Sequence, residues 1–174
     1  MAQINVNSLT FAYECSFDNI FENVSFSIDT DWKLGLIGRN GKGKTTFLKL
    51  LLGKYEYSGS ISTTTIFDYF PYKVSKENMS QSAFELMEHW KPGLEDWKVL
   101  REFQSLEIDA ECLYRPFGTL SFGERTKIML AVLFSDENEF LLIDEPTNHL
   151  DKDAREMVKN YLKTLKSIME TEFL

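Results

Sequence analysis

The sequence is short of several features that would each point to a class of protein. It has two cysteines, Cys15 and Cys112, which lie far apart in 174 residues, so we predict reduced thiols in a cytoplasmic protein rather than a disulfide framework. It has 19 Lys and Arg against 27 Asp and Glu, and the net charge of -8 argues against a broad electrostatic grip on RNA or DNA. Runs of about 18 apolar residues are also missing, so we expect no direct insertion into a membrane. What remains is 43% hydrophobic residues, enough for the core of one domain.

A glycine-rich segment lies between a short apolar strand, predicted at residues 33–37, and a leucine-rich helix, predicted at residues 46–52. Its residues are Gly38, Arg39, Asn40, Gly41, Lys42, Gly43, Lys44, Thr45 and Thr46. Such glycines let successive backbone N–H groups turn towards one anion, and the helix directs its positive end to the same point. Lys44 supplies a mobile charge for the β and γ phosphates, Thr45 a hydroxyl for Mg²⁺, and Thr46 a hydroxyl for a phosphate. A Gly-rich surface turn is the alternative, but the flanking strand and helix favour a phosphate-binding loop.

A second candidate group lies about one hundred residues further on. Residues 139–143 read as a buried strand that leaves Asp144 at its carboxyl end, where open α/β sheets bind ligands. Asp144 is suited to hold Mg²⁺, directly or through water. Because strand neighbours alternate faces, Glu145 is expected to point differently and to polarise an attacking water as a general base. These residues would otherwise only end a strand before a turn, and the upstream phosphate loop favours the catalytic interpretation.

The rest of the chain predicts an α/β fold with a P-loop NTPase core and a mostly parallel sheet. Residues 4–11 and 24–28 alternate apolar and polar side chains, which predicts an antiparallel β edge. Residues from about 76 to 134 have helical spacing and predict a small helical lobe, with Trp90 and Trp97 in its core. Residues 152–166 predict a charged amphipathic helix.

The segment Leu120-Ser121-Phe122-Gly123-Glu124, followed about twenty residues later by the strand that ends in Asp144 and Glu145, resembles the signature and Walker B motifs of ABC-type ATPases. The resemblance extends from Ile4 to about Leu165. It implies ATP and Mg²⁺ as cofactors and ATP hydrolysis as the activity. It also implies that Tyr13 stacks on adenine. The signature residues Ser121, Phe122, Gly123 and Glu124 would serve the nucleotide of a second ABC domain, in the same parent chain or in a homodimer.

The loop Thr147-Asn148-His149-Leu150-Asp151 is similar to that of the ABC-F branch, soluble paired ATPases that act on the ribosome. Phe122 and the run Tyr69-Phe70-Pro71 are similar to its ribosomal protection type, which confers antibiotic resistance. The resemblance therefore implies the N-terminal half of such a protein, with the ribosome as a possible partner through other parts. Two alternatives stay open: the nucleotide-binding subunit of a membrane transporter, and an ATP-binding fragment with little turnover of its own.

Two departures from the family pattern are visible. Tyr72 stands where the family has a Gln, which puts the coupling of Mg²⁺ to the helical lobe in question. We also expect residues 1–174 to form one C-terminally truncated ABC domain that lacks the final strand and its switch histidine. The only histidines are His89, assigned to the surface or packing of the helical lobe, and His149, assigned to the dimer interface.

Overall fold

The computed structural model describes residues 2–14, 16–39, 41–136, 139–148, 150–164 and 168–171. The chain divides into two compact units. The first comprises residues 1–68, 139–145 and 166–174, and the second comprises residues 69–138 and 146–165.

Three strands of the first unit form an antiparallel sheet. They are β1 (Gln3–Phe11), β2 (Phe21–Asp29) and β4 (Ser58–Ser62), in the order β2-β1-β4. Ile4 and Val6 are buried on one face of β1, and the ladder is irregular at Ser8, whose φ is 50°. This bulge shifts the alternation by one residue, so Leu9 and Phe11 are buried as well. The sheet corresponds to the predicted antiparallel edge, and β1 leads directly to Tyr13.

The same unit contains the parallel sheet. Its strands are β3 (Lys33–Leu36), β5 (Phe67–Phe70), β6 (Phe140–Asp144) and β7 (Ile168–Thr171), in the order β3-β7-β6-β5. β7 runs parallel to both β3 and β6, and β5 carries the chain into the second unit after Asp68. Helix α1 (Lys44–Leu51) follows β3 and buries Phe47, Leu48 and Leu50. The carboxyl ends of β3, β6 and β7 therefore lie at one edge of the sheet, where α/β folds place their ligands.

β7 corrects the expectation that no strand follows the last helix. Ile168 and Met169 are fully buried, and the strand lies between β3 and β6 rather than at an edge. A four-residue strand that packs on both faces shows no alternation of apolar and polar residues, so periodicity gave no signal. No histidine lies on β7, since the sequence has only His89 and His149.

The second unit is helical. Its helices are α2 (Ala83–Trp90), α3 (Asp96–Ser105), α4 (Phe122–Phe134) and α5 (Lys152–Thr164), with 3₁₀ turns at Glu77–Ser80, Ala110–Leu113 and Phe117–Thr119. It is wider than the predicted lobe, because α5 belongs to it. Tyr161 of α5 stacks on Phe134 and donates a hydrogen bond to Glu102, a carboxylate that is 2% exposed. α5 is therefore fixed to both α3 and α4.

The two tryptophans of this unit differ in their environment. Trp90 stacks on Tyr72 at 4.9 Å and packs edge-on against Phe117, whereas Trp97 is 57% exposed. The prediction of a core position is wrong for Trp97. The buried stripe of α3 contains Val99, Glu102 and Phe103, and Trp97 lies on the opposite side of the helix.

The predicted fold class is confirmed, since the chain combines a parallel sheet, an antiparallel sheet and a helical unit. Within the described ranges, no helix is both long and apolar enough to cross a membrane.

Candidate functional site

The glycine-rich loop ends at a glycine that no other residue can replace without strain. Gly43 is the N-cap of α1 with φ 89°, in the left-handed region that side chains disfavour. A Cβ atom there would lie 2.5 Å from Cγ2 of Ile20. Since glycine offers no side-chain cap, the first amides of α1 depend on another acceptor, and an anion placed there would satisfy them.

The first turn of α1 carries the three side chains that the sequence assigned to phosphate and metal binding. Lys44 Nζ donates to the carbonyl oxygen of Gly38 at 2.5 Å, so it folds back over the loop. Thr45 Oγ1 donates to Asp144 Oδ1 at 3.1 Å. Thr46 is buried, and its Oγ1 lies 2.7 Å from the hydroxyl of Tyr13.

These groups surround one cavity of about 260 Å³. Its lining residues are Tyr13, Ile20, Gly41, Gly43, Lys44, Thr45, Thr46 and Glu145. Arg39 and Lys42 belong to the same loop through a hydrogen bond from the Lys42 N–H to the Arg39 carbonyl at 3.2 Å. Asn40 lies outside the described residues. The structure thus brings the loop, Tyr13 and Glu145 together at the carboxyl edge of the parallel sheet.

Asp144 is held by two hydroxyl groups. Its Oδ1 accepts hydrogen bonds from Thr45 at 3.1 Å and from Thr171 at 2.7 Å. A carboxylate beside a threonine hydroxyl is the hard oxygen donor set that Mg²⁺ prefers, with the remaining positions left to water and substrate phosphates. Among the described residues, no group of three or more His, Cys, Asp and Glu could hold a metal ion.

The backbone at Glu145 differs from the prediction. β6 ends at Asp144, and Glu145 adopts φ 53°, a left-handed conformation that costs about 1–2 kcal/mol for a residue with a side chain. Strand alternation therefore does not set its direction; the left-handed turn does. The Glu145 N–H donates to Thr171 Oγ1 at 2.9 Å, which stabilises that turn.

Tyr13 belongs to an aromatic cluster with Phe11 and Tyr55. The ring of Tyr13 is edge-on to both, at 5.1 Å from Phe11 and 5.6 Å from Tyr55, and it remains 40% exposed. A hydrogen bond with Tyr13 raises the pKa of Tyr55 above its ordinary value. The ring of Tyr13 is thus fixed at its edges and at its hydroxyl, and part of it stays accessible to a ligand.

The signature residues lie in the second unit, at the start of α4. Ser121 is the N-cap: its Oγ accepts from the Glu124 N–H at 3.2 Å, and its own N–H donates to Glu124 Oε2 at 2.6 Å. This reciprocal capping box fixes the serine. Phe122 is 65% exposed and has the Arg125 guanidinium 5.2 Å from its ring centre. Ser121, Phe122, Gly123 and Glu124 line a cavity of about 580 Å³ together with Leu150 and Asp151.

Glu124 has further partners behind the cap. Its Oε1 accepts from Arg115 Nη1 at 3.4 Å and from the Cys112 thiol at 3.5 Å. The hydrogen bonds from Ser121 hold the pKa of Glu124 below its usual range. Burial and the neighbouring Glu124 raise the pKa of Cys112. The capping role of Glu124 was not predicted, although Ser-x-x-Glu at a helix start is a sequence signal for a capping box.

Tyr72, which departs from the family pattern, and His149 were also singled out from the sequence. The ring of Tyr72 packs against Trp90 inside the helical unit. His149, assigned to a dimer interface, lies outside the described residues. Thr171 was not selected from the sequence at all, because no motif contains it.

A glycine-rich loop between a parallel strand and a helix, with an aspartate at the end of a neighbouring strand, defines a P-loop domain for nucleoside triphosphates. Residues 21–148 match the family model described as ABC transporter, so the chain belongs to the ABC family and is an ABC ATP-binding domain.

Similar proteins agree with this placement. The ribosome protection protein VmlR of Bacillus subtilis is 34% identical over 82% of this chain and 26% of its own length. ABC transporter F family member 3 of Arabidopsis thaliana is 31% identical over 79% of this chain and 20% of its own length. The predicted resemblance to the ABC-F branch is confirmed by such relatives, and the chain spans only a fifth to about a quarter of their length.

A solved structure of a putative ABC transporter ATP-binding protein from Pyrococcus furiosus covers 99% of this chain and 92% of its own length. Its TM-score is 0.79 at 19% identity, which supports the fold.

Proposed function

We propose that this chain binds Mg-ATP and forms one half of an ABC-F type ATPase sandwich. The observation that carries the proposal is the convergence of Lys44, Thr45 and Thr46 with Glu145 around one cavity. Lys44 would exchange the carbonyl of Gly38 for the β and γ phosphates. Tyr13 would stack on adenine, since part of its ring is accessible.

Thr45 and Asp144 would hold Mg²⁺, which neutralises charge on the phosphates when it is bound. Glu145 lines the cavity from the end of β6, where its carboxylate would orient a water and accept its proton. Calorimetric titration of the purified chain with Mg-ATP tests this part. Affinity in the micromolar range is the expected result, and no binding at millimolar nucleotide would refute it.

Ser121 and Gly123 would contact the γ-phosphate held by a second ABC domain, with the start of α4 directed at that phosphate. The isolated chain is therefore expected to bind ATP and to turn it over slowly or not at all. Phosphate release is measured with the chain and with its Glu145→Gln variant. Robust turnover by the monomeric chain, abolished in the variant, would overturn the need for a second domain, because a homodimer would itself supply one.

A cytoplasmic, ribosome-linked role has its support in the loop from Pro146 to Asp151 and in relatives such as VmlR, a ribosome protection protein. Co-sedimentation of the full-length gene product with ribosomes tests this role. The Glu145→Gln variant is expected to pellet with ribosomes in the presence of ATP, and Lys44→Ala is expected to stay in the supernatant. Equal recovery of both variants in the supernatant would favour the transporter alternative.

A further inference from the structure

Thr171 contacts both acidic positions of the candidate site. It is the last residue of β7, its side chain is fully buried, and it lies opposite Asp144 in the parallel ladder with β6. Its Oγ1 donates to Asp144 Oδ1 at 2.7 Å and accepts from the Glu145 N–H at 2.9 Å. One hydroxyl group therefore links the side chain of one residue to the backbone of the next.

These two bonds act on different parts of the site. A threonine hydroxyl has one proton to donate, and it goes to the oxygen of Asp144 that also accepts from Thr45. The carboxylate of Asp144 is therefore held between Thr171 at the end of β7 and Thr45 in the first turn of α1. The bond from the Glu145 N–H satisfies the backbone where φ is 53°, a conformation that needs such support.

We propose that Thr171 is a positioning residue of the Mg-ATP site, which orients the metal-binding carboxylate of Asp144 and maintains the turn at Glu145. The inference rests on the proposed function. If Thr171 only completed β7, its substitution would change the stability of the fold and would leave the magnesium dependence of ATP binding unchanged. The two roles differ in the magnesium dependence of nucleotide binding, because only a positioning role acts through the metal-binding carboxylate.

The experiment compares Thr171→Val with Thr171→Ser in the full chain. Valine keeps the branched shape and removes the hydroxyl, whereas serine keeps the hydroxyl and removes the methyl group. The affinity for ATP is measured by calorimetry with excess Mg²⁺ and again with EDTA. Loss of a group that orients a metal ligand lowers metal affinity by about 10–100-fold. We expect Thr171→Val to weaken binding by about that factor with Mg²⁺ and by less than about threefold with EDTA.

Thr171→Ser is expected to stay within about threefold of the wild type under both conditions, since the hydroxyl is retained. Equal losses for the two variants, or an equal loss with and without Mg²⁺, would overturn the proposal in favour of a structural role. If Thr171→Val does not fold, Thr171→Cys replaces it, because a thiol has similar volume and is only a weak donor. An unchanged magnesium dependence in that variant contradicts the proposal equally.

The failure of this inference is distinguishable from failure of the proposed function. A wild-type chain that does not bind Mg-ATP refutes the function, and the positioning role falls with it. A wild-type chain that binds Mg-ATP, together with a Thr171→Val variant of normal magnesium dependence, refutes the positioning role alone.

Discussion

Replacing Lys44 by Ala should remove most of the affinity for Mg-ATP, and Lys42 supplies a matched control. Both are lysines of the same loop, two residues apart. Lys44 is half-buried and lines the cavity with Thr45 and Thr46, whereas Lys42 is exposed and is not among the described residues that line this cavity. The two variants therefore remove the same charge from inside and outside the site.

The magnitude follows from the kind of contact that each lysine makes. A hydrogen bond to a charged group contributes about 1.5–3 kcal/mol, so losing the contact between Lys44 and phosphate should raise Kd by about 10–150-fold. An exposed charge contributes about 0–1 kcal/mol, so Lys42→Ala should change Kd by no more than about fivefold. The free energy of unfolding should change little in either variant, because alanine is a good helix former in the position of Lys44.

Calorimetry gives Kd directly, and thermal unfolding gives an independent check. Mg-ATP at about 100 times the wild-type Kd should stabilise the wild type by about 2.7 kcal/mol. If Kd rises about 100-fold in Lys44→Ala, the same concentration stabilises the variant by only about 0.4 kcal/mol. A Kd for Lys44→Ala within about threefold of the wild type, or an equal loss in Lys42→Ala, would refute the placement of Lys44 in the phosphate site.

Two further predictions concern the ring of Tyr13 and the cap at Ser121. Tyr13→Ala should lower ATP affinity by about 1–3 kcal/mol and Tyr13→Phe by much less, because base stacking needs the ring rather than the hydroxyl; equal affinities of the two variants in calorimetry would contradict stacking. For Glu124, the lowered folded-state pKa means that its stabilising contribution is present above the unfolded pKa of a glutamate, about 4.3, and is lost as the pH falls through the folded value. Glu124→Gln should therefore lower Tm near neutral pH and approach the wild type in acid, and a Tm difference that does not depend on pH would rule out the carboxylate as the cause.

The phosphate loop could be predicted because its function depends on neighbours in sequence. Gly43, Lys44, Thr45 and Thr46 need only a strand before them and a helix after them, and both were readable from apolar residues. Asp144 was predictable for a related reason. A buried apolar run ends there, and the carboxyl ends of strands in an open α/β sheet share one edge.

The side chains missed by sequence analysis depend on contacts between distant segments. Trp97 was assigned to the core by residue type, but the buried face of α3 is set by Val99 and Phe103, so its side chain is left in solvent. Thr171 reaches Asp144 only because β7 inserts between β3 and β6, in a register that pairs the two residues. Residues 168–171 alone predict neither the insertion of β7 nor its register.

The placement of Glu145 depends both on its neighbours in sequence and on a contact with a distant strand. The sequence correctly placed a glutamate directly after a strand, but the alternation rule applies only while the backbone stays extended. The strand ends at Asp144, and the left-handed turn at Glu145 is held by the hydroxyl of Thr171, 26 residues away. The direction of a candidate catalytic side chain therefore depends on β7, a strand that the sequence pattern does not predict. A substitution in β7 should therefore shift the side chain of Glu145 more than that of Lys44. Lys44 is held by the carbonyl oxygen of Gly38 in the loop that precedes α1.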